Sequence, residues 1–198
     1  LTLPKVWGIL GWNIQIYHSV QACSPVEPPE NRQERILGWH QDSGRLNAEM
    51  ESHPRPRLSI KVAFFLSDCS QPGRANLWAI PGSHLRDDYE IPADGSLPEG
   101  AEPILVPAGG AVIFDRRIWH GPTTNASDVA RKVLFYGYSY RWLRPRDDQS
   151  VNDLLPRCDP IRRQLLGDSA NGGFGYSSPT DEDVPLRVWL REHLGEEA

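Results

Sequence analysis

The chain lacks the features that mark several common classes of protein. It contains only three cysteines, Cys23, Cys69 and Cys158. They form no C-x-x-C pair, which argues against a zinc ribbon or a disulfide framework. No apolar stretch is long enough to span a membrane, and no signal-peptide pattern opens the sequence. The net charge is -5 and no long basic run is present. We therefore expect neither nucleic-acid nor membrane partners. A reducing, cytoplasmic setting is the simplest expectation.

The sequence is instead rich in residues that interrupt regular structure, with 18 prolines and 17 glycines. Short runs rich in β-branched and aromatic residues lie between them, a pattern typical of strands separated by turns. About eight short strands without intervening helices predict a mainly β fold, a double-sheet jelly roll or cupin-like barrel. The predicted strands include residues 9–20, 58–66, 76–80, 104–106, 111–114 continued through 118–120, and 131–140.

After residue 140 the pattern changes to apolar stripes at helical spacing. Residues 151–155, 160–166 and 185–194 are predicted to be short helices. Segments 44–56 and 85–103 are polar and predicted to be irregular loops, the first of them mobile. We expect a single domain over residues 1–198, with a barrel core at about 9–140 and a helical tail at about 141–198.

Three residues form a candidate metal site. In an extended chain the side chains of His40 and Asp42 point the same way, so both can reach one ion. His120 is our candidate for the third ligand, at the end of a strand whose apolar residues face inward. Two histidines and one carboxylate are the ligands of the facial triad that holds non-haem Fe(II). Each piece of the pattern is weak alone, and the hypothesis depends on their combination.

Arg131 is the candidate anchor for an anionic co-substrate. It lies eleven residues after His120 and begins the last predicted strand, where it shares a face with Val133 and Phe135. An arginine on an apolar, inward face is costly unless it is paired with an anion. A guanidinium can bind a carboxylate through two parallel hydrogen bonds, which suits a co-substrate that ends in a carboxylate.

The remaining histidines and one cationic cluster are interpreted as structural or solvated. The histidines are His18, His53, His84 and His193, and the loose cluster near the strand at 58–66 consists of Arg55, Arg57 and Lys61.

With these residues in place, the chain resembles the phytanoyl-CoA dioxygenase family of Fe(II)/2-oxoglutarate-dependent oxygenases. The matching motifs are WHQD at 39–42, NLWAIPGSH at 76–84, FDRRIWHG at 114–121, Arg131, and PIRRQLLG at 160–167. The resemblance extends from about residue 11 to residue 190. It implies a double-stranded β-helix core, iron bound by His40, Asp42 and His120, and 2-oxoglutarate held through its distal carboxylate by Arg131.

The sequence departs from the family pattern at two places. Many relatives carry Ser or Thr two residues after the second histidine, where this chain has Pro122. Thr123 or Thr124 is the candidate substitute in binding 2-oxoglutarate, and the alternative is that this contact is lost. Relatives also have helices before the first barrel strand, and we expect those bracing helices to be absent here.

The resemblance also implies supporting roles for four residues. Gln15 and Tyr17, on the first predicted strand, are expected to contact the 2-oxo acid. Trp78 is expected to line the substrate cleft near the iron. Trp39 is expected at the same cleft, mainly by packing beside the metal and fixing the backbone of His40. Ordinary barrel packing is the alternative role for these residues.

The resemblance implies an Fe(II)- and 2-oxoglutarate-dependent dioxygenase that uses O2, hydroxylates or otherwise oxidises a small metabolite or natural-product intermediate, and releases succinate and CO2. Related halogenases carry a small residue where this chain has Asp42, so hydroxylation is favoured over halogenation. Two alternatives stay open: a cupin-like metalloenzyme that does not use 2-oxoglutarate, and a non-enzymatic barrel that binds a small molecule. A succinate assay distinguishes the first, and a metal titration the second.

Overall fold

The computed structural model describes residues 2–86, 89–94, 96–148, 150–172 and 174–195. Within them lie seven strands: β1 (Ile14–Ser24), β2 (Ser59–Phe65), β3 (Leu77–Ala79), β4 (Glu102–Ile104), β5 (Ala111–Asp115), β6 (His120–Pro122) and β7 (Arg131–Tyr140). The α-helices are α1 (Leu3–Leu10), α2 (Gly44–Glu49), α3 (Pro160–Leu165) and α4 (Pro185–Leu194). Single 3-10 turns occur at Pro29–Asn31, Ser83–Leu85 and Leu155–Arg157. None of the helices in these ranges is long and apolar enough to cross a membrane.

The strands form a four-stranded sheet in the order β1-β7-β2-β5 and a three-stranded sheet in the order β4-β3-β6. The chain also divides into two compact units. The first unit consists of Leu1–Ser19, Leu58–Ile60 and Tyr136–Ala198, and the second of Val20–Arg57 and Lys61–Phe135. The single domain predicted over residues 1–198 stays a prediction.

The second unit holds an apolar core between its strands. Residues at every second position of β2 and β7 point to one face, as the strand period of two requires. The buried members of this core are Ala63, Phe65, Cys69, Val106 and Val133, and Ile104, Val112, Phe114 and Phe135 pack against them. In the three-stranded sheet, antiparallel pairing brings Ala79 opposite His120. This register places His120 at the start of β6, in the three-stranded sheet.

The first unit is organised around Gln164, whose side chain is buried in α3. Its Nε2 donates to the carbonyl oxygens of Trp12 at 2.8 Å and Ile14 at 3.2 Å, and its Oε1 accepts from the N–H of Leu186 at 3.1 Å. A buried amide that satisfies its donor and acceptor in this way ties three chain segments together. The predicted helices at 160–166 and 185–194 are both confirmed as α3 and α4.

The N-terminal prediction was wrong in part. The segment at 9–20 is not a continuous strand, because α1 ends at Leu10 and Gly11 terminates it with a φ of 82°. The strand then runs from Ile14 to Ser24. A helix therefore precedes the first strand, contrary to the expectation that such helices are absent.

The prediction of one strand from Ala111 to His120 was also wrong. β5 ends at Asp115, whose Oδ1 accepts hydrogen bonds from the backbone N–H of Arg117 at 2.9 Å and from its Nε at 2.8 Å. An aspartate that binds the backbone two residues on makes a turn. The chain then enters the other sheet as β6, so His120 does not continue the face of Phe114 along one strand.

Three shorter segments also differ from the predictions. The segment at 44–56, predicted to be an irregular loop, contains α2 over its first residues. The strand predicted at 104–106 lies at Glu102–Ile104 instead. The helix predicted at 151–155 is a turn that leads into the 3-10 turn at Leu155–Arg157.

Replacing Gly137 by alanine is expected to destabilise the protein. A Cβ at Gly137 would lie 2.5 Å from Cε1 and 2.8 Å from Cζ of the buried Tyr17 ring. Overpacking of this kind costs about 1–3 kcal/mol, which urea unfolding would report. Gly8→Ala is the matched control, since nothing lies within 4 Å of its would-be Cβ. This exposed helical position should gain up to about 1 kcal/mol. Equal effects of the two substitutions would contradict the close packing of Tyr17 on Gly137.

Candidate metal centre

The structure brings His40, Asp42 and His120 together. One ligand atom from each lies within 4.8 Å of the others. Main-chain hydrogen bonds hold His40 and His120 next to each other: His40 N–H donates to His120 O at 2.9 Å, and His120 N–H donates to His40 O at 3.0 Å. Asp42 N–H donates to Arg116 O at 2.9 Å. Residues far apart in sequence are thus brought to one point by main-chain hydrogen bonds.

Asp42 presents its two carboxylate oxygens to different surroundings. Oδ1 accepts a hydrogen bond from Lys61 Nζ at 2.6 Å, and both side chains are buried. Oδ2 is buried without a hydrogen-bond partner in the described part of the chain, and lies 3.8 Å from His120 Nε2. A buried polar atom without a partner is costly. A bound cation would satisfy Oδ2.

His120 has its ring nitrogens arranged as in a metal ligand. Nδ1 lies 2.9 Å from Ile118 O. Because a carbonyl oxygen can only accept, Nδ1 carries the proton and Nε2 offers its lone pair toward Asp42. Burial lowers the pKa of His120 to about 4, although the charge of Asp42 opposes this shift. The imidazole is therefore neutral near pH 7, the form that binds a metal.

The donor set fits a divalent transition metal. It offers two imidazole nitrogens and one carboxylate oxygen, with His40 exposed and Asp42 and His120 buried. This is the composition of the facial triad of non-haem Fe(II) proteins, which leaves coordination positions open on one side.

Lys61 is the part of the site that the sequence interpretation missed. It was assigned to a solvated cluster, but its side chain is buried against Asp42. The available signal was its position in β2, two residues before Ala63 and four before Phe65, which both belong to the core. The strand period therefore already placed Lys61 on the inward face.

Arg131 is buried, as predicted, and begins β7. Its guanidinium donates a hydrogen bond from Nη1 to Ser24 Oγ at 3.3 Å and also interacts with the side chain of Cys69, and its Nε has no hydrogen-bond partner in the described part of the chain. No carboxylate in the described part of the chain forms an ion pair with it. Burial lowers the pKa of Arg131, and the neighbouring Cys69 opposes that shift.

A cavity of about 180 Å³ is lined both by residues of the candidate metal site and by Arg131. Its polar wall consists of His40, Lys61, His120 and Arg131, and its apolar wall includes Leu77, Pro122 and Phe135. Of the two cations, Lys61 is neutralised by Asp42 and Arg131 is not. The cavity therefore presents a metal-type donor set and one uncompensated positive charge, an arrangement suited to an anion that also reaches the metal.

Pro122, rather than a hydroxyl residue, lines this cavity. The proposed substitutes have other partners: Thr123 Oγ1 donates to Asn76 O at 3.3 Å, and Thr124 Oγ1 to Gln33 O at 2.8 Å. Both hydroxyl protons are thus used within the fold. A contact of Thr123 with 2-oxoglutarate stays a prediction that these hydrogen bonds do not support.

Neither of the two predicted tryptophans, Trp39 and Trp78, lines this cavity. Leu77 lines the cavity, and Trp78 follows it in β3, so its side chain points to the opposite side of the strand. Trp39 is half-buried next to His40. Their contact with a substrate stays a prediction.

Gln15 and Tyr17 are engaged within the first unit. Gln15 Nε2 donates to Arg141 O at 3.3 Å and to Leu143 O at 2.7 Å. Tyr17 is buried, with its ring against Gly137. Their predicted contact with the 2-oxo acid also stays a prediction.

Comparison with known proteins identifies the family. The sequence model of the phytanoyl-CoA dioxygenase family matches residues 14–133. The chain belongs to this family. Dioxygenase af480 of Aspergillus fumigatus is 31% identical over 124 residues, 57% of this chain and 38% of that protein. Dioxygenase cdmA of Talaromyces verruculosus is 25% identical over 184 residues, 90% of this chain and 56% of that protein. The chain spans about half the length, or less, of these relatives.

Solved structures confirm the mainly β, double-stranded β-helix fold. The nickel complex of the non-heme monooxygenase ThoJ aligns over 73% of this chain and 52% of its own, with a TM-score of 0.54 and 20% identity. HygX from Streptomyces hygroscopicus, with nickel and 2-oxoglutarate bound, aligns over 77% of this chain and 69% of its own, with a TM-score of 0.57 and 15% identity.

Lys61→Met is expected to destabilise the metal-free protein by about 3 kcal/mol, because it leaves a buried carboxylate without its partner. Urea unfolding in EDTA measures this loss. In the double variant Lys61→Met/Asp42→Asn the charge is gone as well, so stability should return in part. If the loss of unfolding free energy in the double variant equals the sum of the losses in Lys61→Met and Asp42→Asn, the two side chains are not coupled and the prediction is wrong.

Proposed function

We propose that this protein is an Fe(II)- and 2-oxoglutarate-dependent dioxygenase that oxidises a small organic molecule. The observation that carries the proposal is the combination, around one cavity, of the His40–Asp42–His120 donor set and the uncompensated Arg131. Either group alone fits many proteins. A metal site and an anion anchor that line one cavity fit a bidentate 2-oxo acid with a second carboxylate.

His40, Asp42 and His120 would hold the iron. The neutral His120 offers Nε2, and Asp42 offers Oδ2, the oxygen that Lys61 does not occupy. Lys61 thus orients the carboxylate for coordination through one oxygen, which leaves room on the metal for other ligands. The proposed ligands stay the same three residues that the sequence pattern indicates.

Arg131 would bind the distal carboxylate of 2-oxoglutarate. Its side chain is buried, its Nε lacks a partner, and the carboxylate of the co-substrate would neutralise it. Ser24 orients the guanidinium through the hydrogen bond at Nη1. Lys61 is a poorer candidate for this anchor, because Asp42 already compensates its charge.

The chemistry belongs mainly to the bound groups, since iron with a 2-oxo acid activates O2 for oxidation of a substrate, with succinate and CO2 as expected co-products. The chain supplies placement and an apolar wall. Leu77 and Phe135 limit water at the cavity, and Pro122 offers no competing hydroxyl.

The support for a small-molecule substrate comes from a structural neighbour, because the 2-oxo acid itself is proposed to occupy the cavity of about 180 Å³. HygX, a protein of the same fold, has been crystallised with hygromycin B bound. By this analogy we propose a small metabolite or natural-product intermediate rather than a macromolecule as the substrate.

Anaerobic titration with Fe(II) in the presence of 2-oxoglutarate should reveal one saturable site, seen as the visible metal-to-ligand charge-transfer band. Asp42→Ala and His120→Ala should abolish the band, because each removes a ligand of the triad. His84→Ala is the control, as this partly buried histidine lies outside the triad, and should retain it.

If the protein is folded but shows no such band, the proposal is wrong, and a non-enzymatic barrel that binds a small molecule is favoured instead. A metal site without succinate production in the presence of O2 and candidate substrates would favour the cupin-like metalloenzyme that does not use 2-oxoglutarate.

Arg131→Met is expected to raise the 2-oxoglutarate concentration needed for half-saturation by about 10-fold or more, since a charge-assisted hydrogen bond to a carboxylate is lost. Mn(II) binding in the absence of 2-oxoglutarate should stay within about 2-fold of the wild type, because the triad is intact. Lys132→Met is the matched control: it removes a neighbouring cation that is exposed on the other face of β7. An unchanged 2-oxoglutarate requirement in Arg131→Met would overturn the assigned role.

A further inference from the structure

The first unit contains a second cavity, of about 450 Å³. All of its lining residues belong to that unit. Most of the wall is apolar or aromatic, formed by Trp142, Leu143, Val151, Leu166, Phe174 and Tyr176. A concave, largely apolar site with a few polar groups is the usual form of a small-molecule site. Gln15, whose contact with the 2-oxo acid stays a prediction, also lines this cavity, but none of the three candidate metal ligands and not Arg131 does.

Arg141 is the charged residue buried in the wall of this cavity. It is 3% exposed, and its Nη1 is sealed from solvent without a hydrogen-bond partner. Its guanidinium forms no ion pair or hydrogen bond with any residue in the described ranges. Burial lowers the pKa of Arg141, and the charge of Asp183 opposes that shift. A buried guanidinium without a bonded anion is costly, and a ligand anion would relieve that cost.

The neighbouring carboxylates are occupied by other groups. Asp147, which also lines the cavity, lies 2.9 Å from His18 Nδ1 and accepts from the N–H of Ser19 at 2.9 Å. Asp183 accepts from Ser169 Oγ at 2.8 Å and from the N–H of Asn171 at 2.9 Å. Neither forms an ion pair with Arg141. The positive charge at the cavity therefore remains available to a ligand.

Two aromatic side chains stand at the edge of the cavity. Phe174 is 67% exposed and Tyr176 is 79% exposed. Gly175 lies between them with a φ of 80°, and a Cβ there would be 3.0 Å from Arg141 Cβ. The backbone at Gly175 thus lies close to Arg141, while the rings of Phe174 and Tyr176 are exposed to solvent. Exposed aromatics beside an apolar cavity provide surface that a ligand can cover.

We propose that this cavity is a second ligand site, selective for a small organic anion that carries a carboxylate on an apolar or aromatic body. Arg141 binds the carboxylate, for which its planar fork is suited. Trp142, Phe174 and Tyr176 pack against the body of the ligand. The site is independent of the proposed oxygenase activity, since it shares no residue with the metal centre.

Benzoate and benzamide are the probes that test this site, because they share a ring and differ in charge. Each is titrated into the ¹⁵N-labelled 198-residue chain, and the indole N–H resonance of Trp142, assigned with Trp142→Phe, reports local binding. Benzoate is expected to shift this resonance saturably and to bind about 10-fold or more tightly than benzamide. Equal affinities would overturn the role of charge, and an unmoved Trp142 resonance would overturn the site.

Two arginine variants locate the charge that benzoate contacts. Arg141→Met should weaken benzoate binding by about 10-fold or more and leave benzamide unchanged. Arg146→Met is the matched control, with the same change at an exposed arginine outside the cavity lining, and should change binding by less than about 2-fold. The Trp142 shift should also persist in Arg131→Met, which excludes binding through the metal-site cavity. Loss in Arg131→Met or Arg146→Met would contradict the assignment.

A second variant keeps the test valid if Arg141→Met does not fold. The pair Phe174→Ser/Tyr176→Ser alters only exposed side chains, so folding should be preserved. It should weaken both probes by about 3-fold or more, because the rings would no longer cover the aromatic body of the probe. Unchanged affinity for both probes in this variant would overturn the proposed site.

Discussion

The buried charge of Asp42 is the constraint on which the candidate metal centre depends. A carboxylate that is withdrawn from water needs compensation, and the chain supplies it on one side only, through Lys61 at 2.6 Å. The other oxygen faces His120 Nε2 and has no donor within the described residues. The hydrogen bond to Ile118 fixes the ring of His120, so that its Nε2 lies 3.8 Å from the unpartnered Oδ2 of Asp42. The polarity of the whole cavity follows from this arrangement.

The same principle separates the roles of three of the buried cations, Lys61, Arg131 and Arg141. Lys61 has a carboxylate partner and therefore acts within the protein, whereas Arg131 and Arg141 have no ion-pair partner among the described residues. Arg131 opens on the metal-site cavity and Arg141 on the cavity of the first unit. Unpaired buried guanidinium groups are the most direct indication of where anionic ligands bind. We assign 2-oxoglutarate to the first and a separate organic anion to the second.

Much of the fold could be predicted where local pattern and tertiary environment agree. β7 has the predicted bounds, and α4 was predicted from its apolar stripe. The failures occurred where one or two residues decide the path of the chain. Gly11 ends a helix that was predicted as strand, and the side chain of Asp115 turns the chain from one sheet to the other. Such turns depend on single hydrogen bonds or a single φ angle, to which periodicity is insensitive.

The sequence by itself determined the ligand types, the inward position of Arg131 and the family, because these depend on residue identity and on the alternation of side chains along a strand. Only the tertiary structure decided which buried charges are paired. It joined Lys61 to Asp42 across 19 residues and left Arg131 and Arg141 without an ion-pair partner among the described residues. In the tertiary structure the hydroxyl groups of Thr123 and Thr124 also donate hydrogen bonds to backbone carbonyl oxygens. Pairing of charges depends on distances in space, which a linear pattern does not contain.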